Sequence, residues 1–293
     1  MGLITLLKFI TSHPLNRKNP LNAIGRFAKW QISSRLNPKP VVYAYTDKTK
    51  LIMQRSMTGA TGNLYCGLHE FTDMGFVLHF LRKEDLFIDI GANVGSYTVL
   101  AGGHIGANVI SIEPVPKTFE HLQRNIAINQ MDNNVRAYNI ALGSEKGQLS
   151  FTTSLDTMNH VATATDTDTI QVPVDSLDTI MENEEDPVLL KIDVEGFETH
   201  VLSGASSTLA RNKLKAIIIE LNGSGEKYGY DERKLHEKLL DNDYSPYHYN
   251  PFERELAPIE SFGTHNTIYI KDIDFVKERV KTAEKIRIRN NSF

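Results

Sequence analysis

This chain is short of the residues that build cross-linked or membrane-buried proteins. It has one cysteine, Cys66, in 293 residues. That excludes an internal disulfide framework and a cysteine-rich metal site. Beside Gly67, Cys66 reads as a small buried residue rather than a nucleophile, and the chain fits a reducing, cytoplasmic compartment. No apolar run approaches the ~20 residues needed to span a bilayer; the stretch from Leu3 to Leu7 is far too short. It also lacks a basic leader and a small-residue cleavage site, so no signal peptide is expected. Leu6 stands where a myristoylation motif needs Ser or Thr. No internal repeat and no linker long enough to separate two globular domains is present. The net charge of −4, with no basic, aromatic-rich module, argues against nucleic acid as a partner.

What the chain does have is Asp89-Ile-Gly91-Ala-Asn93-Val-Gly95-Ser96, directly after the apolar run Leu86-Phe87-Ile88 and before a helix-like run. Strand, glycine turn and helix in that order are the context of a nucleotide site, where glycines allow close approach and a helix N-terminus offers free N–H groups. The dinucleotide fingerprint needs three glycines; here Asn93 replaces the middle one. A carboxylate at Asp89 would repel a pyrophosphate and welcome a cation, such as the ammonium of S-adenosylmethionine (SAM). A second strand ends in Glu113-Pro114, about 20 residues on, where a carboxylate binds a ribose diol. Further apolar strands end at Ala141-Leu142-Gly143, at Asp193-Val194-Glu195-Gly196 and at Glu220-Leu221-Asn222. Ligands bind at that edge of an open α/β sheet. Around these strands the pattern predicts a hairpin over 41–46 and 51–55, helices over 70–81, 119–129 and 231–240, and two extra strands over 149–152 and 170–174. The extra strands flank a polar insertion, 153–169, read as a surface loop or a substrate-facing flap. Strands over 244–249 and 266–270 complete the sheet, and the charged tail from Lys277 reads as a solvated helix.

The chain closely resembles the FkbM family of SAM-dependent methyltransferases over about residues 55–280. The resemblance rests on Asp89 to Ser96, Ile112-Glu113-Pro114, Ala141-Leu142-Gly143 and Leu190-Lys191-Ile192-Asp193-Val194-Glu195-Gly196-Phe197-Glu198, of which the Lys-Ile-Asp-Val-Glu-Gly part is the most specific. It extends to Gly62-Asn63-Leu64-Tyr65, Asp156-Thr157-Met158-Asn159-His160-Val161 and Glu220 to Gly225. It implies an α/β fold, the Rossmann-like class I methyltransferase sheet of seven strands with the last antiparallel. It implies methylation mainly of hydroxyl oxygens on diverse acceptors, glycans and secondary metabolites among them. The expected organisation is a basic segment with a hairpin (1–55), the methyltransferase domain (56–275) and a charged tail (276–293).

A hydroxyl is a poor nucleophile until a base or metal takes its proton. Candidate catalytic groups are therefore His160, Asp193 and Glu195, with Glu220 and His265 as further strand-end candidates and Lys191 as a structural ion-pair partner. The expected SAM site is Asp89, Gly91, Asn93, Gly95, Ser96 and Glu113, with Asn139, Ala141 and Leu142 bordering the adenine. No metal is expected, although Asp193, Glu220 and Asn222 could imitate a Mg²⁺ site. The alternatives are an NAD-linked oxidoreductase on the same scaffold and a catalytically silent SAM-binding subunit. The first 40 residues carry seven basic side chains and no acid before Asp47. Leu21, Ile24, Ala28 and Ile32 recur at helical spacing after Pro20. That segment reads as an attachment helix, packed on its own domain or a second subunit, or lying peripherally on an anionic membrane face.

Overall fold

A computed structural model of the chain describes residues 2–55, 57–153, 159–163 and 165–293. The chain opens with α1 (Leu3–Ser12), α2 (Pro20–Leu36), the hairpin β1 (Val41–Ala44) and β2 (Lys50–Met53), then α3 (Thr58–Cys66) and α4 (Phe71–Phe80). The central unit runs through β3 (Leu86–Ile90), α5 (Ser96–Thr98), a π-helical stretch (Val99–Ile105), β4 (Asn108–Ile112), α6 (Pro116–Ile128) and β5 (Val135–Tyr138). A small sheet follows, β6 (Ala141–Leu142), β7 (Gly147–Thr152) and β8 (Thr169–Asp175), then α7 (Leu177–Ile180). The chain returns through β9 (Leu189–Ile192), α8 (Glu198–Ser203), α9 (Ser206–Ala210), β10 (Ala216–Glu220), α10 (Glu232–Asp241), β11 (Ser245–Asn250), β12 (Glu255–Pro258), β13 (Asn266–Ile270) and α11 (Ile273–Thr282). It ends in the hairpin β14 (Arg287–Ile288) and β15 (Asn291–Ser292).

The large sheet has the order β12-β11-β13-β10-β9-β3-β4-β5. β3, β4, β5, β9 and β10 are parallel, and β13 runs antiparallel between β10 and β11. Without β12 this is the expected sheet of seven strands with the last, β13, antiparallel. β12 is an eighth strand, paired antiparallel on the outer edge of β11. The parallel strands are near-continuous apolar runs because both faces are covered. Alternation sorts their side chains between two cores: Phe87, Leu189 and Ile218 enter one with α4 and α6, while Ile88, Leu190 and Ile217 enter the other with α8 and α10. Connections from β3 run outward to β5 and then back across to β9. The order therefore reverses between β3 and β9, the place where such sheets open a crevice at their carboxyl ends.

Local signals explain the boundaries. Pro116 starts α6 and Pro20 starts α2, each where a missing N–H costs nothing. Asp231 caps α10, its side chain accepting from the Arg233 N–H. The insertion, read as a surface loop or a substrate-facing flap, is partly folded. Its described residues lie back along β7, with Thr152 N–H bonded to the His160 carbonyl and Ala162 N–H to that of Ser150. The Asp156-Thr157-Met158 part of the motif lies outside the described residues.

The solvated-tail expectation is corrected. α11 buries Val276 and Val280, and the final hairpin buries Ile288 and Phe293. Charge dominates the composition here, but helical spacing still aligns an apolar stripe. The helix is anchored by Arg279, whose guanidinium pairs with Asp85, a residue only 2% exposed. Asp85 also accepts from the Arg82 N–H at 2.7 Å. Cys66 is buried as expected, and burial pushes its thiol up to about 12, so it is held as the unreactive neutral form. Removing one partner of a buried ion pair strands the other. Asp85→Ala is expected to destabilise the protein by about 3 kcal/mol, read as a lower denaturation midpoint at unchanged denaturant slope. An unchanged midpoint would show that α11 is not anchored through this pair.

Candidate active site

The crevice between β3 and β9 is a cleft of about 270 Å³. Four strand ends build its walls: Gly91, Ala92 and Asn93 after β3, Glu113 and Pro114 after β4, Asp193 and Glu195 after β9, and Glu220 at the end of β10. Ser96, Ala141 and Leu142 line it too. The glycine turn is pressed so closely onto the next loop that a Cβ on Gly91 would stand 1.8 Å from the Asp193 carbonyl oxygen. Gly91 itself has φ +75°, and Asn93 has φ 51°. The missing middle glycine is thus explained: the position is left-handed, and Asn is among the few other residues that tolerate it.

From Gly91 to Gly95 the backbone N–H groups are spent inside the protein. Gly91 and Ala92 donate to the Ile112 carbonyl at 2.9 and 3.0 Å, and Gly95 to that of Ala92 at 2.8 Å. Asn93 N–H donates to Glu113 Oε2 at 3.0 Å, and Val94 N–H to Asn93 Oδ1 at 2.7 Å. No free amide cradle remains there for a phosphate. Glu113 is held at both oxygens, since Oε1 accepts from Val115 N–H at 2.9 Å. It is buried at the cleft wall, and burial raises its carboxyl to about 7.

Asp89, Gly95, Asn139 and His160 are not among the cleft-lining residues. Asp89 stands behind the wall, 1% exposed, with one oxygen accepting from Thr98 Oγ1 at 2.7 Å and the other without a partner among the described residues. Asn139 uses its amide to hold the Glu113 and Pro114 carbonyls, both at 2.9 Å; it positions the wall that Ile140 to Leu142 complete. The His160 ring lies 3.7 Å from Asp166, while its neighbour Asn159 reaches the cleft. His265 is exposed outside it. Asn222, the amide of the imagined metal set, is also exposed, its side chain accepting from Ser224 N–H to shape a turn.

In its place the fold supplies Glu195. Asp193, Glu195 and Glu220 bring one oxygen each within 4.8 Å of one another. Glu195 reaches this position with φ 54°, a strained conformation for a non-glycine residue and one that recurs at functional sites. Burial, then the Asp193 charge, lifts the Glu195 carboxyl to about 7. Burial and both neighbours hold Glu220 well above the carboxylate range, and its Oε2 has no partner among the described residues. Such a set can take a hard cation, face an organic cation or share protons. Lys191 is 3% exposed and bonds Asp193 Oδ2 at 2.8 Å. Burial opposes its charge, but Asp193, Asp89 and Glu70 hold the ammonium above its usual range.

Sequence reasoning did not assign the other wall. Asn63, His69 and Glu70 enter from α3 and the turn after it, and Tyr97 from α5. Asn63 ties the wall to the glycine turn, donating to Ser96 Oγ at 3.0 Å. Tyr97 donates to Glu70 at 2.9 Å. The signal was present in Gly62-Asn63-Leu64-Tyr65, but nothing in its spacing says that α3 folds over the β3 turn.

Comparison with known proteins identifies the family. The methyltransferase FkbM domain model matches residues 89–246. The hexuronic acid methyltransferase AglP of Haloferax volcanii is 28% identical over 148 residues, covering 50% of this chain and 59% of that protein. Methyltransferase sdnD of Sordaria araneosa is 30% identical over 83 residues, covering 28% of this chain and 32% of that protein. The chain thus aligns with less than two thirds of either relative. A solved precorrin-6y C5,15-methyltransferase from Geobacter metallireducens superposes with TM-score 0.40 at 12% identity, over 69% of this chain and 88% of that one. The glycine turn, the strand-end carboxylates and the Lys191 to Glu198 segment all fall inside the matched region, and the chain belongs to the FkbM methyltransferase family.

Proposed function

We propose that this chain transfers a methyl group from SAM to a hydroxyl of a glycan or glycan-like acceptor. The observation that carries the reading is the carboxylate trio Asp193, Glu195 and Glu220, opening beside the glycine turn. When bound, SAM supplies a methyl group activated by a positively charged sulfonium. The residues present fit such a ligand. The carboxyls of the trio and Glu113 give the cleft acceptors for an ammonium and, as Glu113 and Glu195 ionise near 7, the negative potential a cation needs. Glu113 also keeps lone pairs, beyond the two its backbone partners use, for a ribose diol. The NAD reading is disfavoured, because every N–H from Gly91 to Gly95 is already engaged and a pyrophosphate would meet carboxylates instead. The family and the AglP relative support a sugar hydroxyl as acceptor.

Within the trio the roles divide by environment. Asp193 is held in place by Lys191. Glu220 retains its proton at neutral pH and can donate a hydrogen bond. Glu195, poised near neutrality, is the group suited to take the hydroxyl proton. Asp193 and Glu220 then orient the acceptor. In-line transfer depends on that alignment, for which a rigid wall is worth several kcal/mol. His160 acts at most from the insertion's edge, since it does not line the cleft.

Two predictions follow from these roles. Glu113→Gln keeps the side-chain volume, sets an NH2 against one of the two backbone N–H donors and loses charge-assisted acceptance from a diol. SAM affinity measured by calorimetry should fall by about 1.5–3 kcal/mol, with no NAD binding in either protein; an undiminished SAM affinity would remove Glu113 from the site. Glu195→Gln should lower kcat about 10²-fold or more with SAM affinity nearly intact. In the wild type, kcat/KM should rise with pH through about 7 as Glu195 loses its proton and level off above. The kcat limb should lie lower, because a bound cation favours the carboxylate. EDTA should leave turnover unchanged; loss on EDTA with recovery on adding Mg²⁺ would make the trio a metal site and Glu195 a ligand.

A further inference from the structure

The apolar side chains that the fold leaves uncovered are concentrated in one place. Of the large exposed hydrophobics among the described residues, only Leu240 and Phe252 lie outside residues 3–42. α2 shows how this arises. Its inner face buries Ala23, Trp30 and Ser34 against α1, α3 and β2, in a cluster with Ile10, Met53 and Tyr65. The helix is therefore held in place by one face. Its other stripe, Leu21, Ile24, Ala28 and Ile32, continues to Leu36 and stays in solvent, with Leu21, Ile32 and Leu36 exposed by 80, 62 and 81%. Leu3 of α1 joins Ile32 and Leu36 around one shallow depression. Patches of this kind on a monomer mark an interaction surface.

The charges on the same elements say what it fits. Lys8, Arg17, Lys18, Lys29, Arg35 and Lys39 are exposed, and none forms an ion pair among the described residues. The first acid, Asp47, lies beside His104 at 3.6 Å. A second copy of the chain on a two-fold axis would bring these cations against themselves. A layer of anionic headgroups over an apolar interior answers both features at once.

We infer that the N-terminal helices dock this enzyme on an anionic lipid bilayer, with the Leu21–Leu36 stripe and Leu3 entering the headgroup region and the basic side chains contacting lipid phosphates. A groove that shares lining residues with each lies between this surface and the cleft. Gln31 and Arg35 border both the depression and a groove of about 490 Å³. Gly59 and His69 border both that groove and the active-site cleft. The groove's apolar side chains, Leu6, Phe9, Trp30 and Met57, stand among polar ones that include Arg35 and Arg55, which suits an acceptor that couples a lipid tail to an anionic head on its way toward the carboxylate trio.

The test is co-sedimentation of the full chain with phosphatidylglycerol-containing and pure phosphatidylcholine vesicles at 0.1 and 0.5 M salt, chosen to span strong and weak screening. Binding is expected to the anionic vesicles alone and to weaken at high salt. Because the altered side chains are exposed, the variants should fold, which SAM calorimetry checks. Lys18→Gln with Lys29→Gln and Lys39→Gln should lower the partition coefficient about 10²-fold. Leu21→Ser with Ile32→Ser and Leu36→Ser should abolish binding even at low salt. Absence of binding by the wild type, or equal binding by both variants, overturns the inference. So does a dimer in sedimentation analysis that the leucine variant dissolves while no vesicle binding is seen, because the stripe would then belong to a second copy.

Discussion

The site depends on one buried cation. Lys191 sits on the central strand β9, register-paired with Asp89 of β3, and almost no water reaches it. An isolated ammonium there would be untenable; it persists because Asp193 bonds it directly and Asp89 and Glu70 add their charge. The dependence is mutual. Without Lys191, these acids would stand close together in a low dielectric with no counter-charge. The pair also sets geometry. Asp193 is fixed where its carbonyl meets the Gly91 turn, and Tyr97, whose ring lies 4.8 Å from the ammonium, is directed to Glu70. The strand ends are thus locked to one another before any ligand enters.

Past that lock, acid is in excess. Asp193 is answered by Lys191, but Glu195 and Glu220 form no ion pair among the described residues, and burial, with the neighbouring acids, lifts their carboxyls toward and beyond neutrality. Glu113 rises too, with burial first and then the Asp89 and Asp193 charges outweighing two backbone donors. A cleft with this balance is prepared for positive charge and for proton exchange. It is poorly prepared for phosphate, since the amides of the glycine turn are closed in upon Ile112, Glu113 and the turn itself. The same sheet edge that serves dinucleotides elsewhere has here been given the opposite polarity.

The terminal segments show how packing can divide one helix between two roles. α2 is bound to the domain through Trp30 and Ala23, and Arg26 reinforces it by donating to Asn16 and the Tyr65 carbonyl. Arg289 of the last hairpin donates to the same Tyr65 carbonyl from the other side, and Asn291 reaches Leu15. Both ends of the chain therefore clasp α3, the helix that carries Asn63 to the cleft. The inner face of α2 is committed to this support, which is why its outer stripe is left without cover.

By itself the sequence determined the strand ends. Apolar runs stopping at Asp89, Glu113, Asp193 and Glu220, with helices between, specify a parallel sheet whose chemistry lies along one edge, because such strands can bury both faces only if polar groups wait until the chain leaves the sheet. It also showed Asn93 in a glycine's place and the basic bias of the first 40 residues, both local facts. Tertiary structure decided which edge groups meet. Glu195 joins the trio and Asn222 does not, because a left-handed residue turns the chain after β9 and a capped turn carries Asn222 away. It decided that the glycine turn has no free amides, that Asn139 supports rather than lines the wall, and that α11 packs instead of floating. Each of these depends on contacts between segments far apart in the chain, and neither periodicity nor motif spacing carries the distance between two strands or the direction a loop takes on leaving one.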